Sequence, residues 1–362
     1  MDKREYWFWL NNIEGIGNTK IRRLLECYED AENIYKTNEN ELTKIPGISE
    51  KDAFNIFNEE NKKIIKSRYD KYNKDKVSFI FPWEEDYPYR LKELYDKPQI
   101  LYYIGRIPNK NTKSVAIIGA RNCSEYGRKM AKEISFELAS RGVDIISGLA
   151  RGIDGEAHEG AIMAGGTTYA VLAGGVNKCY PSSNYNLYVD IIRHGGVFSE
   201  YPPGTNTVPG MFPLRNRIVS GLADMVIVVE AGAKSGSLIT VNHALEQNKI
   251  VYAVPGRIGD KMSAGCNQLI AEGAGIITTI EALLEELGIE YVRKEKEEKN
   301  NLGLAREEKM LYSLLLDFLP RSLDSIIEET KAPVSVVLTN LLGLELKGYI
   351  KEISKNFYVR IR

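Results

Sequence analysis

Six short apolar runs, rich in β-branched residues, alternate with stretches of helical period through the middle of the chain. The runs are Val115–Ile118, Val143–Ile146, Tyr169–Ala173, Met225–Val229, Ile250–Val254 and Ile276–Thr278. Each is continuous rather than alternating, as strands of a parallel sheet covered on both faces must be. Between them lie Tyr126–Ser140, Asp154–Ala164, Tyr185–Arg193, Leu238–Gln247 and Gln268–Glu272, amphipathic at helical spacing. Such alternation predicts a doubly wound, mainly parallel α/β sheet of Rossmann-like type. Ligands of such sheets bind beyond the carboxyl ends of the strands, so the strand-to-helix loops carry the functional interest.

The flanks differ in pattern. Residues 1–70 read as short helices, in which Ile13-Glu14-Gly15-Ile16-Gly17 is echoed by Ile45-Pro46-Gly47-Ile48-Ser49. Each repeat puts small residues where a chain turns tightly before a helix start. The pair resembles tandem helix-hairpin-helix (SAM-like) units, which grip DNA phosphates without reading bases; a small helical packing domain fits the same residues. No Lys or Arg lies within either hairpin, although Lys20, Arg22 and Arg23 follow the first. Residues 75–288 form the extended sheet domain, opening with the aromatic, proline-punctuated segment from Val77 to Gly105. The mixed charge run Arg293–Asn301 places a solvated linker at 289–308. From 309 to 362, three helical stretches (Met310–Phe318, Leu323–Glu329, Val334–Lys347) and a closing hairpin around a Ser-Lys-Asn turn give a winged-helix plan. Its end, from Lys347, has five basic residues and one acid. That suits either a phosphate backbone or a protein partner.

Composition excludes more than it names. Lys plus Arg total 48 against 49 Asp plus Glu, for a net charge of −1. That rules out coating of DNA by bulk charge but permits a local basic groove. Four scattered cysteines without a CxxC pair and three dispersed histidines argue for a reduced, cytoplasmic protein with no metal site and no cofactor. The charged, aromatic N-terminus reads as neither signal peptide nor anchor, and no apolar run is long enough to span a membrane.

The loops supply the chemistry. Gly119 ends a strand and Ser124 is placed to cap the next helix, so backbone N–H groups and the helix dipole favour an anion there. Arg121 between them offers a fork for phosphate; pairing with Glu125 or Asp154 is the structural alternative. Asp154 and His158 share a helix face, as an acid–base pair or, in the reading preferred here, as a helix-start acid beside a packing histidine. Lys178 and Tyr180 follow the third strand. Phe212 and Arg215-Asn216-Arg217 read as a fourth loop, and Ser235-Gly236-Ser237 start another helix. Arg121, Lys178, Arg215 and Arg217 would then surround one crevice, with Tyr180 and Phe212 as stacking faces or as packing residues. Residues 113–280 hold 15 basic and 14 acidic side chains, so local placement matters, not bulk charge. GxGxxG and GxxxxGK[ST] are both absent, which argues against dinucleotide binding and nucleoside triphosphate hydrolysis.

Five blocks, GARNCSEYG, SGLARGIDGEAHEGA, LAGGVNKCYPSSN, FPLRNRIVSGLA and EAGAKSGSLITVNHALEQNK, resemble those of the DNA processing protein A (DprA/Smf) family. That resemblance covers about 75–288. It implies a non-enzymatic protein that binds single-stranded DNA, protects incoming strands, forms a homodimer and loads the RecA recombinase in natural transformation and homologous recombination. It further implies a DNA pocket lined by Arg121, Lys178 and the 215–217 block, with backbone contacts from the Gly119 and Ser235–Ser237 loops. The rival is an enzyme of the nucleotide phosphoribohydrolase (LOG-like) sheet family. Those carry PGGxGTxxE with an essential glutamate, and the stretch from Gly232 to Val241 has no such carboxylate.

Overall fold

The computed structural model describes residues 1–72, 77–289, 304–315 and 320–361 of the 362. The chain divides into two compact units, Met1–Glu290 and Tyr291–Arg362. In the first come α1 (Lys3–Asn11), α2 (Asn18–Tyr28), α3 (Ala31–Lys36), α4 (Glu39–Leu42), α5 (Glu50–Phe57) and α6 (Glu59–Tyr72). Then follow β1 (Ser78–Ile80), α7 (Tyr89–Lys92), β2 (Leu101–Gly105), β3 (Ser114–Ile118), α8 (Glu125–Ala139), β4 (Asp144–Ser147), α9 (Ile153–Met163) and β5 (Thr168–Val171). The unit continues through α10 (Tyr185–His194), β6 (Gly196–Ser199), α11 (Met211–Gly221), β7 (Met225–Val228), α12 (Ser237–Glu246), β8 (Ile250–Ala253), α13 (Ala264–Ala271), β9 (Gly275–Ile276) and α14 (Ile280–Glu286).

The nine strands form one sheet in the order β1-β2-β6-β5-β4-β3-β7-β8-β9. From β6 to β9 all neighbours are parallel, while β1 and β2 extend the β6 edge antiparallel. The expected strands are present within a residue or two. The winding reverses between β3 and β7, and a crevice opens there beyond the strand ends.

Two elements of the sheet unit escape the sequence pattern. One is β6, whose apolar run is cut short by Gly195 and Gly196. Backbones crowd here: a methyl group on Gly195 would stand 2.0 Å from the Thr168 carbonyl oxygen. Glycine lets the strand pack, and the same glycine hides the strand from propensity. The other is α11, which turns the expected 215–217 loop into a helix. Pro213 falls in its first turn, where a missing N–H costs nothing.

The N-terminal helices pack on the sheet through a shared core. Phe8 and Trp9 cluster with Phe79, Phe81 and Tyr102, and the cluster runs on to Leu149, Val176 and Ile191. The Asn12 amide and the Tyr102 hydroxyl bond to each other within it (2.8 Å). Thus the segments expected as 1–70 and 75–288 lie in one compact unit. The two hairpin repeats precede α2 and α5 as expected, with Gly17 and Ser49 as N-caps.

In the second unit α15 (Arg306–Leu314), β10 (Arg321–Ser322), α16 (Leu323–Thr330), α17 (Val334–Leu346), β11 (Ile350–Ser354) and β12 (Phe357–Arg360) make the winged helix. The hairpin closes a three-stranded sheet of order β10-β12-β11. The charge run at 293–301 and the expected continuation of the first helix to Phe318 lie outside the described residues. Helix α17 exposes Val334, Leu338, Leu342 and Leu346 at four-residue spacing and has no Lys or Arg within it.

Candidate functional site

A cleft of about 870 Å³ occupies the switch point of the sheet. Its walls come from the ends of β3 (Gly119 to Asn122) and β4 (Gly148, Ala150), from α11 (Phe212, Arg215, Asn216), from Tyr180, and from the start of α12 (Lys234 to Ser237). Five consecutive strand-to-helix connections, from that after β3 to that after β7, therefore converge on one space.

Arg121 stands exposed at the mouth, with no ion pair among the described residues. Its guanidinium carbon lies 4.7 Å from the Phe212 ring centroid, a cation–π contact. Phe212 in turn meets Tyr180, with centroids 5.7 Å apart and planes inclined at 50°. The three side chains form a ladder of flat groups, and Tyr180 is 52% exposed. Neither Glu125 nor Asp154 takes the arginine.

Arg215 forms the floor. It is buried, and its Nη1 donates to the Gly148 carbonyl (2.8 Å) and to that of Val171. Its Nε reaches Asn216 Oδ1 at 3.1 Å. Any side chain at Gly148 would strike this guanidinium, at 2.6 Å from Nη2, so glycine there is what admits the arginine. Burial lowers the Arg215 pKa to about 10, partly offset by Asp154, and the group stays cationic at neutral pH. Asp154 is the acid of the cleft. It accepts from the Gly148 N–H (3.1 Å) and the Ala150 N–H (3.4 Å), and burial raises its pKa. Its partner in the sequence reading, His158, lies fully buried with Nδ1 2.7 Å from the Thr168 hydroxyl, and burial pushes its pKa down to about 3. The two hold separate partners and do not meet, and His158 Nε2 is buried with no hydrogen-bond partner among the described residues, so the packing reading describes them and an acid–base pair does not.

The helix starts of α8 and α12, both at the cleft, differ sharply. At α8 the Ser124 hydroxyl caps the Gly127 N–H (3.1 Å), and the buried Glu230 carboxylate accepts from the Ser124 N–H (2.8 Å) and hydroxyl. The protein supplies its own anion at this end, which corrects the expectation of an anion site at Gly119–Ser124. Ser124 is no wall residue; Gly119 is. At α12 the N-cap is Gly236, with no side-chain cap, and its N–H has no acceptor among the described residues. The Ser235 and Ser237 hydroxyls bond to each other at 2.8 Å. The Ser237 N–H donates to the Ser235 hydroxyl (3.3 Å) and the Leu238 and Ile239 N–H groups have backbone acceptors, so at this helix start the Gly236 N–H is the donor left for a ligand among the described residues.

Two further expected cations do not line the cleft. Arg217 is buried in an ion-paired cluster, with Nη2 to Glu200 at 2.7 Å and Nε to Asp96 at 3.1 Å. On a helix, residues two apart point to opposite sides, so Arg215 faces the cleft and Arg217 cannot. Lys178 is exposed and donates to Asn206 Oδ1 at 2.6 Å, outside the cleft wall. Conversely, Asn122, Lys234, Thr240 and Met262 belong to the wall without having been singled out. Lys234 had a signal, since it adjoins Ser235. Met262 had none.

Taken together, the doubly wound α/β sheet and the cleft at its switch point, with Arg121, Arg215 and Lys234 beside two aromatic rings, define a Rossmann-like protein. Residues 78–288 match the family model described as DNA recombination-mediator protein A. Residues 10–59 match a SAM-like helix-hairpin-helix tandem, and 295–354 a DprA winged helix domain. The chain is 34% identical to Protein Smf of Synechocystis sp. over 290 residues, covering 79% of this chain and 73% of that one. The crystal structure of DNA processing protein A from Streptococcus pneumoniae superposes with a TM-score of 0.69 at 34% identity, over 81% of this chain and all of that one. A Helicobacter pylori DNA processing protein A structure, from work on its single-stranded DNA binding mode, gives a TM-score of 0.53 at 32% identity, covering 58% and 95%. The chain belongs to the DNA recombination-mediator protein A (DprA/Smf) family.

Proposed function

We propose that this chain binds single-stranded DNA in the switch-point cleft and acts, without chemistry of its own, as a mediator that covers the strand and hands it to the RecA recombinase. The observation that carries the binding is the ladder of Arg121, Phe212 and Tyr180 above the buried Arg215. Aromatic faces accept unpaired bases of any sequence, and the arginines answer the phosphates. In a duplex the bases are stacked inside and their faces are closed to such a ladder. The one carboxylate of the cleft wall among the described residues, Asp154, is engaged by two backbone N–H groups, which supports binding over hydrolysis. Hand-over to RecA, protection of the strand and a homodimer rest on family membership. Exposed Leu245, Ile250 and Ile276 on the late strands and helix offer apolar surface to a second copy.

The test is equilibrium binding of full-length protein to a labelled oligothymidylate and to a duplex of equal length, across a salt series. Tighter binding of the single strand, with little dependence on sequence, is expected. Equal affinity for the duplex at the same salt overturns the reading. Release of free base from a nucleoside monophosphate would replace it with the phosphoribohydrolase reading.

A further inference from the structure

Arg121 and Asn122 belong to two cavities, not one. Besides the first cleft they border a second hollow of about 450 Å³, lined also by Arg128, Arg151, Ser183 and Asn186. It lies against the N-terminal half of α9, where Gly152 and Gly155 leave the backbone bare.

Its chemistry contrasts with that of the first cleft. Among the described residues no aromatic side chain borders it, so these offer nothing for a base to stack on. Arg151 is exposed, with neither an ion pair nor a hydrogen bond among the described residues. The two carboxylates at the border are already answered. Glu156 meets Arg128 at 3.1 Å and Lys132 at 3.0 Å, and Glu159 meets Lys132 at 2.8 Å. Arg121 and Arg151 are thereby left as the uncompensated charges of the hollow. An exposed arginine without a partner is a ready phosphate ligand, and two of them flanking one hollow can hold consecutive stretches of a backbone.

We infer that this hollow is a second subsite for the same strand, taking sugar-phosphate backbone rather than bases. It rests on the single-strand reading of the first cleft and extends it. The strand would lay bases on Phe212 and Tyr180, pass over Arg121, and continue with phosphates on Arg151. The protein thus covers more nucleotides than the aromatic cleft alone can hold, and the added length is bound through charge. That division predicts how affinity depends on strand length and on salt.

The experiment measures binding of oligothymidylates of about four and about sixteen nucleotides to full-length protein, across a salt series. Arg151→Gln should weaken the long strand by about tenfold and flatten its log-affinity versus log-salt slope by about 0.7, the share of one phosphate contact. The short strand should bind the variant and the wild type alike. Arg151→Lys, which keeps the charge, should restore the slope, and an unchanged melting temperature for both variants shows that the fold is intact. Equal loss on both strands, or no loss on either, overturns the second subsite while leaving the first cleft standing. Failure of the wild type to hold either strand overturns both readings at once.

Discussion

The switch-point cleft and the tandem hairpins both place short glycine-containing turns before helices, with cations close by. In the cleft, Arg121 and Lys234 reach the wall with no ion pair among the described residues. In the hairpins the cations are consumed. Lys20 Nζ bonds Asp52 at 2.6 Å and the Gly15 carbonyl at 3.2 Å, and Arg23 reaches the Pro46 carbonyl at 3.2 Å. Asn55 closes the same junction through the Glu14 carbonyl at 3.1 Å. Each residue crosses from one hairpin to the other, so the tandem uses its polar groups to hold its own halves together. A turn motif specifies backbone shape; whether it grips phosphate depends on what its cations already hold.

The same contrast recurs within three residues of α11. Arg215 and Arg217 look equivalent in the sequence, yet one floors the cleft and the other is locked to Glu200 and Asp96. The largest expected effect breaks this pair. Arg217→Ala leaves the largely buried Glu200 carboxylate uncompensated and should cost about 3–5 kcal/mol of folding stability, read as a large drop in the denaturant midpoint. The folded fraction should still bind single strands with the parental salt slope. A stable variant with weakened binding would return Arg217 to the site.

Arg121→Ala should do the reverse. Losing one charged hydrogen bond to phosphate costs about 1.5–3 kcal/mol, a drop of tenfold to a hundredfold in single-strand affinity. The salt slope should flatten by about 0.7 and the melting temperature should hold. A lowered melting temperature with an unchanged slope would make Arg121 a structural residue. Phe212→Ala tests stacking instead of charge: about 1–3 kcal/mol of affinity should go, with the salt slope unaltered. A flattened slope there would mean that the ring acts only by holding Arg121 in place.

The smallest effect belongs to the hairpins. Lys20→Ala should leave DNA binding untouched and cost no more than about 1 kcal/mol of stability. Its pH dependence follows from Asp52. Burial works to raise that carboxyl, but the hydrogen bonds from Lys20 and Ser49 outweigh it and hold the pKa below its ordinary value. A carboxylate depressed in the folded state stabilises above its unfolded pKa and loses that contribution as pH falls through the folded one. Wild type and variant should therefore differ at neutral pH and converge in acid. A difference that persists in acid would show that Lys20 acts through something other than Asp52.

What the sequence discloses follows the range of the interactions involved. The parallel strands are legible because burial on both faces leaves its mark in every run, from Val115–Ile118 to Ile250–Val254. Arg121, Tyr180, Phe212 and Ser235–Ser237 are legible as a group because strand-end loops of a doubly wound sheet meet at one crevice. Arg217 misleads because residues two apart on a helix part company, and Pro213 disguises the helix. Glu230 is invisible as an anion source because it meets Ser124 across 106 positions of chain. Met262 enters the wall by tertiary packing alone, which no local pattern records.

Photocrosslinking of a single strand carrying iodouracil to the full-length protein, with the modified peptides identified by mass spectrometry, bears most directly on the central claim. The adduct should fall on Tyr180 or Phe212, and the Met1–Tyr72 helices should carry none. Adducts concentrated in the hairpins around Gly15–Gly17 and Gly47–Ser49, with the cleft unmarked, would contradict it.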